Sequence, residues 1–335
     1  MRNLKMISKE ARTKPRPDNK HTKGLSPYTV AYLAAIIGTL LILGLTVDNF
    51  ATLRNLTNVL NQSAVLGVLA IGMTYVLVGA GIDLSMPANM AFAAILGTML
   101  MKNGLNPIFA VPIMIAIGGG IGLINGFAIG KLQMIPFVVT LAMLTILSGT
   151  SVWMTKSASI TGVSDGLMNL FATKMGPLQV SVLLLGIITA VASITMSNSI
   201  FGRQLGATGT NERAARVAGI QTGRVIVFTY LVSGLMAGVA GVFIISRLGS
   251  ASASLGPDQI VLDVISSAVV GGVSIYGGIG KPYAAVLGAV FITAISNATN
   301  LIGVDYSVTL GIKGVIIILF VALDTLRRRE EKVRS

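Results

Sequence analysis

The clearest of this chain's uncharged stretches run for 18 to 28 residues: 55–82, 84–101, 103–130, 132–155, 175–202, 225–246 and 282–304. A helix needs about 20 apolar residues to cross a hydrocarbon core of roughly 30 Å. So many such runs cannot all be buried inside one soluble domain of 335 residues. Hydrophobic residues make up 53% of the chain and charged residues 11%, and the mean hydropathy is +0.81. A membrane β-barrel would alternate apolar and polar residues in strands of about 10. These runs are continuous, so helices, whose backbone hydrogen bonds are satisfied internally, are expected. The expected fold is an all-α polytopic membrane protein.

Segmentation between the charges gives about ten transmembrane helices, at 28–47, 58–80, 85–101, 107–130, 136–155, 178–197, 225–246, 262–276, 283–302 and 307–324. An even number puts both termini on one side. Eight Lys/Arg precede residue 27, and Arg327, Arg328, Arg329, Lys332 and Arg334 follow the last span. Basic residues mark the cytoplasmic side of short loops, so both termini are placed in the cytoplasm. With that orientation 19 of the 25 Lys/Arg lie inside and five outside, with Lys313 inside the last span. The same flanking positions account for the pI near 10.2 without nucleic acid as a partner; the basic partner is the lipid bilayer. The long polar N-terminus, with no cleavage-type site after its first apolar run, does not read as a cleavable signal peptide. The expected organisation is a basic cytoplasmic segment 1–27, one transmembrane domain 28–325 holding a cytoplasmic loop 198–224, and a basic tail 326–335.

Catalytic chemistry has little to stand on. The chain has no cysteine, and its one histidine, His21, lies in the polar N-terminus. No carboxylate pair at useful spacing, Ser/His/Asp set, metal-ligand cluster or phosphate-binding G-x-x-x-x-G-K-[ST] loop is present. The chain is expected to bind no metal and no cofactor and to be no enzyme.

Polar residues in the apolar runs are therefore conspicuous. Asp83, in GAGIDLSMP, reads either as a functional intramembrane carboxylate or as a boundary carboxylate favouring the N-terminal dipole of the next helix; the second reading is preferred. Lys313 is surrounded by apolar residues and is expected to snorkel or to pair with Asp305 or Asp263. Gly271 and Gly272 fall in the short eighth span, and Gly277 and Gly278 follow it directly. They read either as close helix packing or as irregular backbone lining a cavity. The external segments 156–177, with Asp165, and 247–259, with Arg247 and Asp258, either connect helices or meet a partner.

One cytoplasmic stretch, NERAARVAGI at 211–220, concentrates charge. Asn211 is a good N-cap, Glu212 lies in the first turn where the dipole favours an anion, and Gly219 is a natural stop. That predicts a helix of two turns. Ala214, Ala215 and Ala218 form a smooth stripe, and Arg213 and Arg216, three apart, share a neighbouring face. Such a helix suits docking into a groove; a solvated cytoplasmic helix is the alternative.

Beyond these readings the chain resembles the permease subunit of bacterial ABC importers for monosaccharides, the ribose/galactose/xylose/arabinose type that also includes autoinducer-2 permeases. The matching stretches are AIGMTYVLVGAGIDLS (70–85), GLINGFAIGKLQMIPFVVTLAML (122–144), GRQLGATGTNERAARVAGI (202–220), YLVSGLMAGVAG (230–241), LDVISSAVVGGVSIYGGIGKPYAAVLGA (262–289) and IKGVIIILFVALDTLRRR (312–329). Asn125 lies in the second of them. The family usually continues GIDLS with Val-Gly, where this chain has Met86-Pro87-Ala88, and Val261 stands where an acidic residue often precedes Leu262-Asp263. The resemblance implies a multi-pass protein of the bacterial inner membrane. It implies a second permease copy or a paralogue, separate ABC ATPase subunits carrying ATP-Mg, and an extracytoplasmic substrate-binding protein. Residues 211–219 match the helix that couples the ATPase to the spans. Asp83, Asn125, Asp263, Lys313 and the four glycines become candidate pathway or packing positions. An ion-gradient-driven secondary transporter is the alternative, and it would have to work with Asp83, Asp263 and Lys313.

Overall fold

The computed structural model describes residues 27–255 and 260–334. The basic segment 1–26 and Asp258 lie outside the described residues. Helices occupy every expected span: α1 (Pro27–Thr46), α2 (Leu53–Val78), α3 (Met86–Lys102), α4 (Pro107–Gly130), α5 (Pro136–Thr155), α7 (Val180–Asn198), α10 (Thr222–Leu248), α11 (Ile260–Val270), α12 (Pro282–Ile302) and α13 (Tyr306–Arg334). Among the described residues seven segments are long and apolar enough to cross a membrane, one of them, Ala253–Val270, running over the undescribed 256–259. The apolar parts of α1 and α13 (Ala34–Thr46 and Ser307–Ala322) and the 17-residue α3 are shorter. The chain is an all-α, polytopic membrane protein.

Local chemistry sets the helix ends. Thr52 caps α2 by accepting from the Asn55 N–H at 3.3 Å. Asn106 caps α4 by accepting from the Ile108 N–H at 2.9 Å, with Pro107 at the first helical position. Pro136 and Pro282 likewise open α5 and α12, where the missing N–H would have had no partner anyway.

α2 is the axis of the bundle. Every residue from Gly67 to Val78 is buried, consistent with a helix apolar on all sides. It packs against α10, α12, α11 and α7. The most extensive helix contact is between α4 and α10, and four glycines at i, i+4 spacing make it. A Cβ on Gly118 would lie 2.4 Å from the Gly234 carbonyl oxygen. One on Gly122 would lie 2.2 Å from the Tyr230 oxygen, and one on Gly130 2.4 Å from the Gly223 oxygen. Small residues at this spacing let membrane helices approach backbone to backbone. By contrast α5 and α7 turn apolar side chains such as Leu141, Ile146, Ile187 and Val191 outward.

Three expectations about local structure need correction. The eighth span was expected to reach Tyr276, but α11 stops at Val270, because Gly271-Gly272 opens a run of turns with left-handed backbone at Gly272, Gly277 and Gly278. The loop 198–224 holds two helices rather than one, α8 (Ile200–Thr210) and α9 (Glu212–Val217). The segment 156–177 is not a plain connector, since it forms strand β1 (Ile160–Thr161), helix α6 (Asp165–Ala172) and strand β2 (Lys174–Met175). β2 turns back onto β3 (Leu178–Gln179), and β1 pairs antiparallel with β4 (Ser250–Ala251). Two segments expected on the same side of the membrane are thus hydrogen-bonded to each other.

Candidate functional site

At the opposite end of the bundle from β1 and β4, α9 projects between α8 and α10. Asn211 Oδ1 accepts from the Ala214 N–H at 3.0 Å, and Gly219, at φ +85°, ends the turn. The helix has six residues, shorter than the two full turns expected. The alanine stripe is also revised. Ala215 is buried against the bundle, while Ala214 and Ala218 are exposed. The most exposed apolar side chain of the helix is Val217, at 91%, which the sequence reading left out. Val217 lies two positions from Ala215, hence on the far side of the helix from the buried alanine.

The two arginines have different surroundings. Arg216 Nη2 meets Glu212 Oε1 at 2.5 Å, and the same oxygen accepts from Thr222 Oγ1 at 3.1 Å. Glu212 and Arg216 therefore brace the helix against the start of α10, and Arg213 alone offers its exposed guanidinium with no ion pair among the described residues. A cavity of about 470 Å³ opens beside this brace. Asn211, Glu212 and Arg216 line one wall; Gly79 to Gly81, Gln133 and Tyr230 line others.

The glycines of the 271–280 turns belong to the same end. The Gly278 N–H donates to the Val78 carbonyl at 2.8 Å. A Cβ on Gly277 would lie 2.5 Å from the Gly209 oxygen, and one on Gly209 would collide with Val78 O at 1.8 Å. Gly271 lies against α12, where a Cβ would be 2.4 Å from Ala284 O. The stretch has a part of each reading: its backbone is irregular, and Gly271, Gly277 and Gly278 are packed closely on the bundle. Gly277 and Gly278 tie α8, two residues ahead of α9, to the end of α2.

Asp83 is not at an exposed helix boundary. It is 2% exposed, and its carboxylate takes three hydrogen bonds. Oδ1 accepts from the Ser85 N–H at 3.0 Å and from Ser85 Oγ at 2.6 Å; Oδ2 accepts from Ser233 Oγ at 2.7 Å. Asn125 Nδ2 donates to Ser85 Oγ at 2.9 Å. Asp83 and Asn125, two separate candidates in the sequence, thus share one buried cluster joining α3, α4 and α10. Ser85 and Ser233 complete it, and no pattern in the sequence singled them out. Buried carboxylates persist where donors satisfy them.

Asp263 and Lys313 also come together. Lys313 Nζ lies 2.8 Å from Asp263 Oδ2, clasping α11 to α13. The snorkelling alternative and the Asp305 pairing are both replaced, since Asp305 accepts from the Ser307 N–H at 2.8 Å at the start of α13. Asn55 and Asn297 exchange amide hydrogen bonds of 2.7 and 3.1 Å between α2 and α12.

A multi-pass helical bundle with a capped helix projecting at one end and no assembled catalytic set among its described residues has the build of a translocation subunit. The family described as branched-chain amino acid transport system / permease component matches residues 55–321. The chain belongs to this family, the transmembrane permease components of ABC importers. It is 31% identical over 301 residues to the ribose import permease protein RbsC of Escherichia coli K12, covering 88% of this chain and 93% of that one. It is 32% identical over 302 residues to the D-allose transport system permease protein AlsC of the same strain, covering 89% and 90%. To the galactose/methyl galactoside import permease protein MglC it is 33% identical over 303 residues, covering 84% and 90%. No solved structure matches the chain significantly.

Proposed function

We propose that this chain forms the pathway of an ATP-driven importer in a bacterial cytoplasmic membrane and takes up a small sugar or sugar-like solute. Ten spans would leave both termini in the cytoplasm. A second copy or a paralogous permease would complete the pathway, a binding protein would deliver solute outside, and ATP-Mg would be held by separate ATPase subunits inside. The observation that carries the reading is α9: a capped, braced helix projecting Val217 and Arg213 from a chain whose relatives are named as sugar import permeases. A knob and a cation on a rigid stub suit a groove on an ATPase. Glu212, Arg216 and the Gly209–Val78 contact would pass its displacement to α10 and α2.

The test is reconstitution of the chain with its ATPase and binding protein in vesicles. Solute-loaded binding protein should stimulate ATP hydrolysis. Val217→Asp with Arg213→Glu should lower that stimulation at least about tenfold, equivalent to 1.4 kcal/mol, while leaving the permease folded. Unchanged stimulation would remove α9 from the coupling role. Uptake that survives full ATP depletion and follows an ion gradient would instead favour a secondary transporter.

A further inference from the structure

A second cleft, of about 120 Å³, lies at the end of the bundle away from α9, between the start of α2, the start of α7 and the end of α10. It is smaller than the roughly 300–1,000 Å³ of drug-sized ligand sites, so its occupant is small. Phe171 of α6 and Phe243 of α10 form one wall, packed edge to face with centroids 5.2 Å apart. Ala64, Val65 and Ala172 continue the apolar wall, and Asn61, Gln179, Ser181, Ser246 and Arg247 are the polar part of the lining.

These polar groups are poorly satisfied within the chain. Asn61 Oδ1 is closed off from solvent and has no hydrogen-bond partner among the described residues. A buried acceptor left so costs about 1–3 kcal/mol. Ser181 is buried at the mouth of α7. Neither it nor the side chains of Gln179 and Arg247 have a partner among the described residues. Ser246 Oγ donates back to Val242 O at 2.6 Å, which leaves its lone pairs free to accept. Two carboxamides, two hydroxyls and one guanidinium thus offer both donors and acceptors over an aromatic wall.

That mixture selects among solutes. An anion could accept from Arg247, Ser181 and the amide N–H groups, but it has no proton to give Asn61 Oδ1, the acceptor closed off without a partner among the described residues. A purely apolar solute would leave Asn61 Oδ1 and the side chains of Gln179, Ser181 and Arg247 without a partner among the described residues. A hydroxyl group both donates and accepts, and several on one ring match the set. We propose that this cleft is a solute subsite in the permease itself, binding the hydroxyl-bearing edge of an uncharged monosaccharide between its delivery and its passage along α2 and α10. The inference rests on the transport reading above and adds to it that the spans contact the sugar through named groups.

The absence of cysteine from the chain makes the test direct. Ser181→Cys, nearly isosteric, places one thiol in the cleft of the reconstituted importer. N-ethylmaleimide labelling of that thiol should slow at least about threefold when D-ribose, D-allose or D-galactose is present, for whichever of them the wild-type importer takes up. In a separate variant, Gln179→Ala should lower uptake about tenfold at saturating loaded binding protein, without changing the binding-protein concentration needed for half-maximal uptake. Both expectations concern the same cleft and use independent readouts. Labelling of Ser181→Cys indifferent to a sugar that wild type imports would overturn the subsite. So would a Gln179→Ala defect confined to the binding-protein concentration, which would make the cleft a docking contact. Uptake by the wild-type importer that survives full ATP depletion and follows an ion gradient would overturn the transport reading, and the subsite with it.

Discussion

Replacing Lys313 with alanine should destabilise the permease by about 3 kcal/mol, the low end of what breaking a buried ion pair costs. The Lys313 and Asp263 side chains retain 8% and 20% exposure. With the ammonium gone, the carboxylate must either ionise without a counter-charge in a place poor in water or take up a proton. Both destabilise the packing of α11 on α13. The low end applies because the residual exposure of Asp263 lets some water reach it. Removing both charges should be far milder: Lys313→Met with Asp263→Leu should come within about 1 kcal/mol of wild type, since apolar pairs often substitute for buried ions without loss. Thermal unfolding in detergent, followed by the monodisperse fraction, reads both variants. If the single replacement is silent, or the double is no better than the single, the pair is not what joins these helices.

That pair also shows where sequence reasoning reached its limit. Lys313 and Asp263 each stood out as ions among apolar residues, and two partners for Lys313 remained open. The choice depended on where the first turns of α13 meet α11, 50 residues away in sequence, which no local pattern encodes. Asp83 followed the same course. Its position just ahead of α3 was legible, but its burial comes from α4 and α10 closing over it with Asn125 and Ser233. The helices themselves were legible, because hydrocarbon demands long uncharged runs and runs can be counted along one chain. The early stop of α11 was not anticipated, although Gly271-Gly272 was visible: a glycine-rich run is compatible with a helix packed closely or with turns. The cap on α9 was legible because a cap is a local hydrogen bond, here from the Ala214 N–H to Asn211 Oδ1 three residues before it. The burial of Ala215 and the exposure of Val217 depended on α10, and so on tertiary contact.

The α4–α10 interface leads to the largest effect, and one helix supplies its own control. Gly120 has nothing within 4 Å of an added Cβ, whereas a Cβ on Gly122 would lie 2.2 Å from the Tyr230 oxygen and 3.0 Å from the Gly234 Cα. Gly120→Ala should therefore stabilise the helix slightly, by up to about 1 kcal/mol from backbone propensity. Gly122→Ala gains the same propensity but forces two backbones apart, and neither can rotate out of the way as a side chain could. Overpacking of this kind costs about 1–3 kcal/mol. Gly122→Leu should go further and abolish the folded bundle. Separating α4 from α10 at Gly122 also lifts Gly118 and Gly126 from their partners and pulls Asn125 away from Ser85 and Asp83. Paired measurements of unfolding in mixed micelles for the alanine and leucine variants at both positions test this directly. Equal tolerance at Gly120 and Gly122 would mean that α4 and α10 do not touch backbone to backbone. The buried carboxylate of Asp83 would then lack the closure that keeps it from water.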